Sequence, residues 1–300
     1  MLVFTSCSST KKILAPASLR ASGVRARTLG GFARDWAARV EAAPVRHAAS
    51  EIYAGNAVVA AQAAADRLSA PLHFVSAGMS VVGPRARIPS YDLTVASGGD
   101  APYPIATGAA RPREWWAALN SALGRRTPLA NVVRQHDSLV LVALPDSYLQ
   151  MVQDELLTLS AKQLAKLRLI ATSNARIAPE LQGQTIRFDQ RFQTAAGAPR
   201  GAQASFVQRA LLHLAGLLLD NPTKRTVGAQ RALVDQSLQA STLARRRNGV
   251  RLSDSEVLRW LGEQDPRSSQ SRTALLKAFR GQGLACEQKK FFALIDSTRI

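Results

Sequence analysis

The stretch Leu2-Val3-Phe4-Thr5, running into Ser6-Cys7-Ser8-Ser9-Thr10-Lys11-Lys12, decides the fold class. Its first four residues are apolar or β-branched and too few for a helix, so they read as a buried strand. The loop that follows is rich in hydroxyls and carries two adjacent lysines, a composition that presents donors and positive charge to an anion. Moving outward, Val58–Leu68 is alanine-rich and helical in propensity. Leu72–Ser76 is a second short apolar run. Strand, helix, strand in that order predicts a parallel α/β unit. Leu139–Leu144, Leu167–Thr172 and Thr185–Phe188 read as further strands, and Trp115–Leu123, Ser147–Leu159 and Ala202–Leu219 as helices.

Beyond Asn221-Pro222 no convincing strand follows, while Gln230–Arg247, Asp254–Gly262, Arg272–Phe279 and Cys286–Asp296 read as helices. Ser253 with Glu256 forms a capping box that starts the second of these. The last two meet across Gly281 and Gly283, like a helix-turn-helix with basic residues on both arms. A helical lid or a dimerisation bundle is the plainer alternative. The expected organisation is an α/β domain over residues 1–220 and a helical module over residues 221–300.

Lysine and arginine number 39 against 21 acids, a net charge of +18. Such a surplus repels itself unless an anionic partner screens it, and nucleic acid is the commonest one. An arginine-rich solubility surface is the alternative, but the charge is unevenly placed. Lys11, Lys12, Arg20, Arg25, Arg27, Arg34, Arg39 and Arg46 crowd the first fifty residues against Asp35 and Glu41. A second crowd comprises Arg245, Arg246, Arg247, Arg251, Arg259, Arg267, Arg272, Lys277, Arg280, Lys289 and Lys290. Cys7 and Cys286 offer neither a disulfide framework nor a metal cluster, which points to a reducing, cytoplasmic compartment. His47, His73, His136 and His213 are scattered without metal-ligand spacing, so no metal or other cofactor is expected. The longest apolar stretch, Ala210–Leu219, contains His213 and falls short of the ~20 residues that span a bilayer. There is no G-x-x-x-x-G-K-[ST] loop, which argues against nucleotide hydrolysis. No obligatory protein partner is expected.

Ligands of open α/β sheets bind beyond the carboxyl ends of strands. Ser76-Ala77-Gly78-Met79-Ser80-Val81-Val82-Gly83, followed by Ile88-Pro89-Ser90-Tyr91-Asp92-Leu93-Thr94, supplies such an end with two glycines and a proline-led polar turn. Asp92 there is either a functional carboxylate or the cap of a helix or turn. Asp146, Ser147 and Tyr148 follow the strongest strand and would line the same cleft, unless Asp146 only caps the next helix. Arg200 and Gly201 precede a helix whose free N–H groups could hold a phosphate, or mark an ordinary helix start. Adjacent Trp115 and Trp116 cannot share a helix face, so one is expected to pack while the other is free to stack on a base.

The N-terminal strand and loop, Glu51-Ile52-Tyr53-Ala54-Gly55, the Ser76 to Thr94 block and Trp115-Trp116 occur in the order seen in YaaA-like proteins. So do Ala143-Leu144-Pro145-Asp146-Ser147-Tyr148 and Arg200-Gly201-Ala202-Gln203-Ala204-Ser205-Phe206. The chain resembles that family over roughly residues 1–220. The family resembles uracil-DNA glycosylases in fold and includes peroxide-stress DNA-binding proteins, and related prokaryotic proteins act on modified bases in phage defence. The resemblance implies a uracil-DNA-glycosylase-like sheet with DNA as partner. It also implies flipping and excision of a modified base, such as a glucosylated hydroxymethylcytosine of phage DNA, to leave an abasic site.

The YaaA-like turn usually has arginine after its tyrosine where this chain has Asp92, and the C-terminal helices lie outside the family's pattern. A carboxylate near phosphates is costly unless it performs a task, which favours catalysis with Asp92 as the catalytic group. Under that reading Ser6, Cys7, Ser8, Tyr53, Ser76, Gly78, Ser90, Tyr91, Asp146 and Tyr148 shape a base pocket. Tyr91 or Tyr53 would stack on the base, and Ser6, Ser8, Lys11 and Lys12 would hold phosphates or the departing base. Arg200, Gly201, Arg272, Lys277, Arg280, Lys289 and Lys290 would add DNA contacts. The alternatives are a non-catalytic YaaA-like DNA-binding protein and a 7-deazaguanine DNA-modification enzyme. All the DNA readings share one expected outcome. Duplex affinity falls steeply with salt, by about 0.9 in log K per log salt for each phosphate neutralised, and a flat response in a fluorescence-anisotropy titration would remove DNA as the partner.

Overall fold

The computed structural model describes residues 1–96, 99–242, 249–264 and 271–298. The chain forms two compact units, Met1–Leu243 and Ala244–Ile300. Six strands of the first unit make one sheet: β1 (Leu2–Ser6), β2 (Leu72–Ser76), β3 (Ser80–Val82), β4 (Val140–Ala143), β5 (Leu167–Thr172) and β6 (Thr185–Phe188). Their order across the sheet is β3-β2-β1-β4-β5-β6. Every pairing is parallel except that of β3 with β2, which runs antiparallel from Ser76↔Ser80 to Phe74↔Val82. The mixed α/β class and the mostly parallel sheet expected from the apolar runs are both present.

β1 is buried at all five positions. Alternate strand residues point to opposite faces, so both faces of the sheet are covered. The longer helices are α1 (Leu29–Ala42), α2 (Asn56–Arg67), α3 (Pro112–Ala122), α4 (Pro128–Arg134), α5 (Asp146–Leu156), α6 (Phe206–Asp220) and α7 (Val227–Leu238). α2 packs on α6, where buried Ala60, Ala61, Ala64 and Ala65 permit close approach to a helix burying Ala210, Leu211, Leu214 and Ala215. α1, α3 and α5 form a second group. Phe32 meets the edge of Trp115 at 5.7 Å between ring centroids.

Both tryptophans of the adjacent pair are buried, so neither is free to stack on a base. Trp115 Nε1 donates to Ala77 O at 2.8 Å and Trp116 Nε1 to Glu155 Oε2 at 2.6 Å. The Glu155 carboxylate also accepts from Ala130 N at 2.8 Å, which ties α3, α4 and α5 together. Burial pushes the Glu155 pKa up, against the lowering by its Trp116 and backbone donors. Unpaired, a carboxylate in that position would cost several kcal/mol, on the order of a broken buried ion pair.

The expected boundary at residue 220 moves to 243 because α7 belongs to the first unit. Arg168 on β5 is buried and requires acceptors, and its Nε donates to Gln230 Oε1 at 2.6 Å and its Nη2 to Arg225 O at 2.7 Å. Arg231 reaches the opposite way, from α7 to Thr185 O on β6 at 2.8 Å. Val234 and Leu238 complete the seam. α7 is capped by Thr226, whose side chain accepts from Ala229 N, and ends at Leu238; the expected helix extended to Arg247, and Arg245, Arg246, Arg247 and Arg267 lie outside the described residues.

The second unit holds α8 (Asp254–Gly262), α9 (Arg272–Gly281) and α10 (Gln288–Thr298) around Val257, Trp260, Leu275, Leu276, Phe279, Phe291 and Ile295. The Ser253/Glu256 capping box is formed as read, with Ser253 N donating to Glu256 Oε2 at 2.6 Å. Contrary to expectation, strand pairing does occur here: Val250–Arg251 runs parallel to Leu284–Ala285. α9 and α10 are therefore joined through a short strand rather than the bare glycine turn of a helix-turn-helix. Among the described residues no helix is long and apolar enough to cross a membrane.

A chain ended at residue 243 should melt cooperatively with native far-ultraviolet dichroism. One ended at residue 220 loses the Arg168 acceptors and the Val234–Leu238 cover. It should be less stable by at least about 3 kcal/mol in urea unfolding, and equal midpoints would place α7 outside the first unit.

Candidate functional site

The strand order reverses direction of growth at β1: β2 lies on one side and β4 on the other. That switch point marks, beyond the carboxyl ends of β1 and β4, the crevice position at which α/β sheets place ligands. Ser6 and Cys7 end β1, and both are nearly buried. Cys7 Sγ lies 3.2 Å from the hydroxyl of Tyr148, which projects from the first turn of α5 after β4. Thr94 Oγ1 is 3.5 Å from the same hydroxyl. Gln208 on α6, fully buried, spans the same two strands by donating from Nε2 to Thr5 Oγ1 and Ala143 O, each at 3.3 Å. Its Oε1 has no hydrogen-bond partner among the described residues.

One strand over, Ser76 Oγ accepts from Gly78 N at 3.2 Å and Met79 N at 2.8 Å. Its two lone pairs are thereby used, so its proton goes to the Tyr91 hydroxyl 2.6 Å away. Tyr91 in turn meets the Tyr53 hydroxyl at 2.9 Å. Gly78 is glycine because a Cβ would stand 2.7 Å from the Tyr91 ring and 3.1 Å from Trp36. Trp36 Nε1 pins the same loop by donating to Gly78 O at 2.8 Å. These contacts correct the stacking expectation: Tyr53 and Tyr91 are 1% and 0% exposed, core residues with no ring face open to a base.

The Lys11 ammonium sits over the Tyr91 ring, 4.5 Å from its centroid, while its backbone bridges to Tyr53. Burial pulls the Lys11 pKa down, opposed by the nearby Cys7 and Asp92 groups. Asp92 is held by its backbone, its N donating to Leu19 O at 2.8 Å and its O accepting from Ala21 N at 2.9 Å. Its side chain is half-buried, and among the described residues no hydrogen bond or ion pair engages the carboxylate. Asp92 thus caps neither a helix nor a turn, and its charge faces the rim beside Lys11. Ser90 secures this rim from below by donating to Ile13 O at 2.5 Å. Ser8 Oγ accepts from Thr10 N at 3.0 Å, and Lys12 is exposed.

Asp146 is the first residue of α5, after the N-cap Pro145, and its Oδ1 accepts from Arg176 N at 3.0 Å. It anchors the loop after β5 instead of lining the crevice. Arg200 and Gly201 do not abut α6, since a 3-10 turn over Gln203–Ser205 intervenes and Arg200 Nη1 bonds Gln193 O. The guanidinium at this helix start belongs to Arg209, which is buried and donates to Pro199 O at 2.8 Å and Ala202 O at 3.1 Å. In the second unit Arg272 pairs with Asp296 at 2.9 Å and Lys290 with Asp254 at 2.5 Å. Lys277 and Arg280 line a cleft of 760 Å³ with Leu276, Leu284 and Cys286. The Lys289 side chain lies outside the described residues.

Gln208, Arg209 and a trio of arginines, Arg111, Arg113 and Arg176, escaped the sequence reading. Only the Arg111-Pro112-Arg113 run ahead of a helix offered a signal. Among the described residues no three His, Cys, Asp or Glu side chains come together as a metal site. No family model matches the chain, and no curated protein matches it.

Burial raises the phenol pKa values of Tyr53, Tyr91 and Tyr148 in the folded protein. As pH climbs past the ordinary tyrosine value, the unfolded chain loses these protons and the folded one keeps them. Stability therefore falls with rising pH above that value. Spectrophotometric titration should show these three phenols ionising together with unfolding, and reversible ionisation of all three in the native state would show the cluster to be open to solvent.

Proposed function

We propose that this chain is a YaaA-like, base-excising DNA hydrolase with Asp92 as its catalytic carboxylate. The observation that carries the reading is the Asp92 side chain: a half-buried, unpartnered carboxylate beside the Lys11 ammonium at the carboxyl edge of a doubly wound sheet. Lys11 already gives this carboxylate a positive neighbour, and with no hydrogen bond to its oxygens it is also free to face positive charge that develops on a reacting sugar. The substrate class is duplex DNA carrying a modified cytosine, glucosylated hydroxymethylcytosine being the first to test, with phage defence as the setting.

The bond to be broken joins C1′ of the sugar to the base nitrogen, and it is reachable only after the nucleotide leaves the stack. Its electron pair departs with the base, and the sugar passes through an oxocarbenium-like state that Asp92 stabilises. Water bonds to C1′ and gives its proton to Asp92, the base nitrogen takes up a proton from the Lys11 ammonium, and Asp92 then passes its proton to the neutral Lys11 amine, restoring both groups. Water is thus divided between the sugar hydroxyl and the free base. The depressed Lys11 pKa suits that donor role.

A second reading is favoured by the tyrosine cluster. Because Tyr53, Tyr91 and Tyr148 spend their hydroxyls on one another, on Ser76 and on Cys7, the chain could hold DNA at its surface without breaking a bond. Asp92→Asn separates the two readings. In the enzymatic reading the variant binds DNA as tightly as the parent or tighter, while abasic-site formation drops by at least about a hundredfold. Full base release in the variant would remove Asp92 from the chemistry, and no abasic sites on any modified duplex with the parent chain would leave the binding reading.

A further inference from the structure

A cleft of 340 Å³ opens among the N-terminus of α3, the side of α5 and the loop after β5, and it is lined by Arg111, Arg113, Arg176, Gln150 and Gln153. None of its lining residues is acidic. Among the described residues the three guanidinium groups have neither an ion pair nor a hydrogen bond, unlike Arg39, Arg191 and Arg272, which are paired with aspartates. Two acids border the cleft, and each accepts from a backbone or amide group of its wall and not from a guanidinium. Asp146 accepts from Arg176 N at 3.0 Å and from Gln150 Nε2 at 2.8 Å, and Glu114 accepts from Arg111 N at 2.7 Å. Gln153 uses its Oε1 on Ala178 N at 3.2 Å, which leaves its Nε2 as a donor.

We infer that this cleft seats a backbone phosphate of the nucleic acid on which the switch-point site acts, an inference that rests on the DNA reading of that site. A lining with three guanidinium groups and no carboxylate favours an anion, and planar guanidinium forks match phosphate oxygens in pairs. Position supports the assignment. Asp146 directly follows β4 and Arg176 lies in the loop after β5, so the cleft stands on the same carboxyl edge as Cys7 and Asp92. Neighbouring strands lie about 4.8 Å apart, which puts the ends of β4 and β5 about 5 and 10 Å along the edge from that of β1. A strand laid along that edge to reach Asp92 has this cleft within a few strand spacings.

The test compares the full chain with the triple variants Arg111→Gln/Arg113→Gln/Arg176→Gln and Arg111→Lys/Arg113→Lys/Arg176→Lys, each checked for native dichroism. Duplex affinity is measured between 50 and 200 mM salt. One lost phosphate contact lowers the salt slope by about 0.9, so the glutamine variant should lose roughly a threefold share of the parent's salt sensitivity over that range. The lysine variant should keep the parent slope, because counterion release counts charge and not fork geometry. An unchanged slope in the glutamine variant, with or without binding of inorganic phosphate by the parent, overturns the assignment. Absence of DNA binding by the parent instead removes the reading of the switch-point site on which it rests.

Discussion

The backbone of β1 is hydrogen-bonded along both edges, to β2 from Val3↔Leu72 and to β4 from Leu2↔Val140. A strand so placed cannot sit at a sheet margin, and the rest of the first unit is arranged around it. Because β2 and β4 attach on opposite sides, the chain must cross over after β3, and the crossing leaves the switch point where Cys7 meets Tyr148 and Gln208 bridges Thr5 to Ala143. The hydroxyls of Ser76, Tyr53, Tyr91 and Tyr148 are satisfied by one another and by Cys7, while Gln208 Oε1 is not. Such a network holds the loops in one arrangement, since leaving any buried member unpaired costs about 1–3 kcal/mol.

The scale of positive charge sets a second condition. Arg168 and Arg209 are buried without a carboxylate, each surrounded by carbonyl and amide oxygens. Burial lowers the pKa of both. Carbonyl-rich cradles of this kind leave the few acids available elsewhere, yet the surface arginines remain in excess. Six ion pairs join the described residues, and they leave most guanidinium groups facing solvent or backbone.

Much of the first unit was legible because its strands are continuous apolar runs, as fully buried parallel strands must be. β3 was not, since three residues carry no periodicity, and α1 was hidden by Gly30 and Gly31 in its first turn. Tyr53 and Tyr91 were placed at the right end of the sheet but given the wrong task. Sequence indicates which hydroxyls lie near a strand end and says nothing of whether they find each other first. The unit boundary failed for a similar reason, because Asn221-Pro222 looks like a linker while the demand of buried Arg168 for acceptors is a long-range fact. Asp92 was singled out by its neighbours in sequence, and that no hydrogen bond engages its carboxylate among the described residues emerges only in three dimensions.

α5 carries Tyr148 at one end and Gln150 and Gln153 along its flank, and Glu155 fixes it to α3 and α4. A helix rises 1.5 Å per residue, so Tyr148 and Gln153 are separated by about 7.5 Å along a rod that cannot stretch. The helix is therefore a fixed spacer: the hydroxyl at its tip and the amides on its flank keep one separation, because Glu155 holds the rod against two other helices.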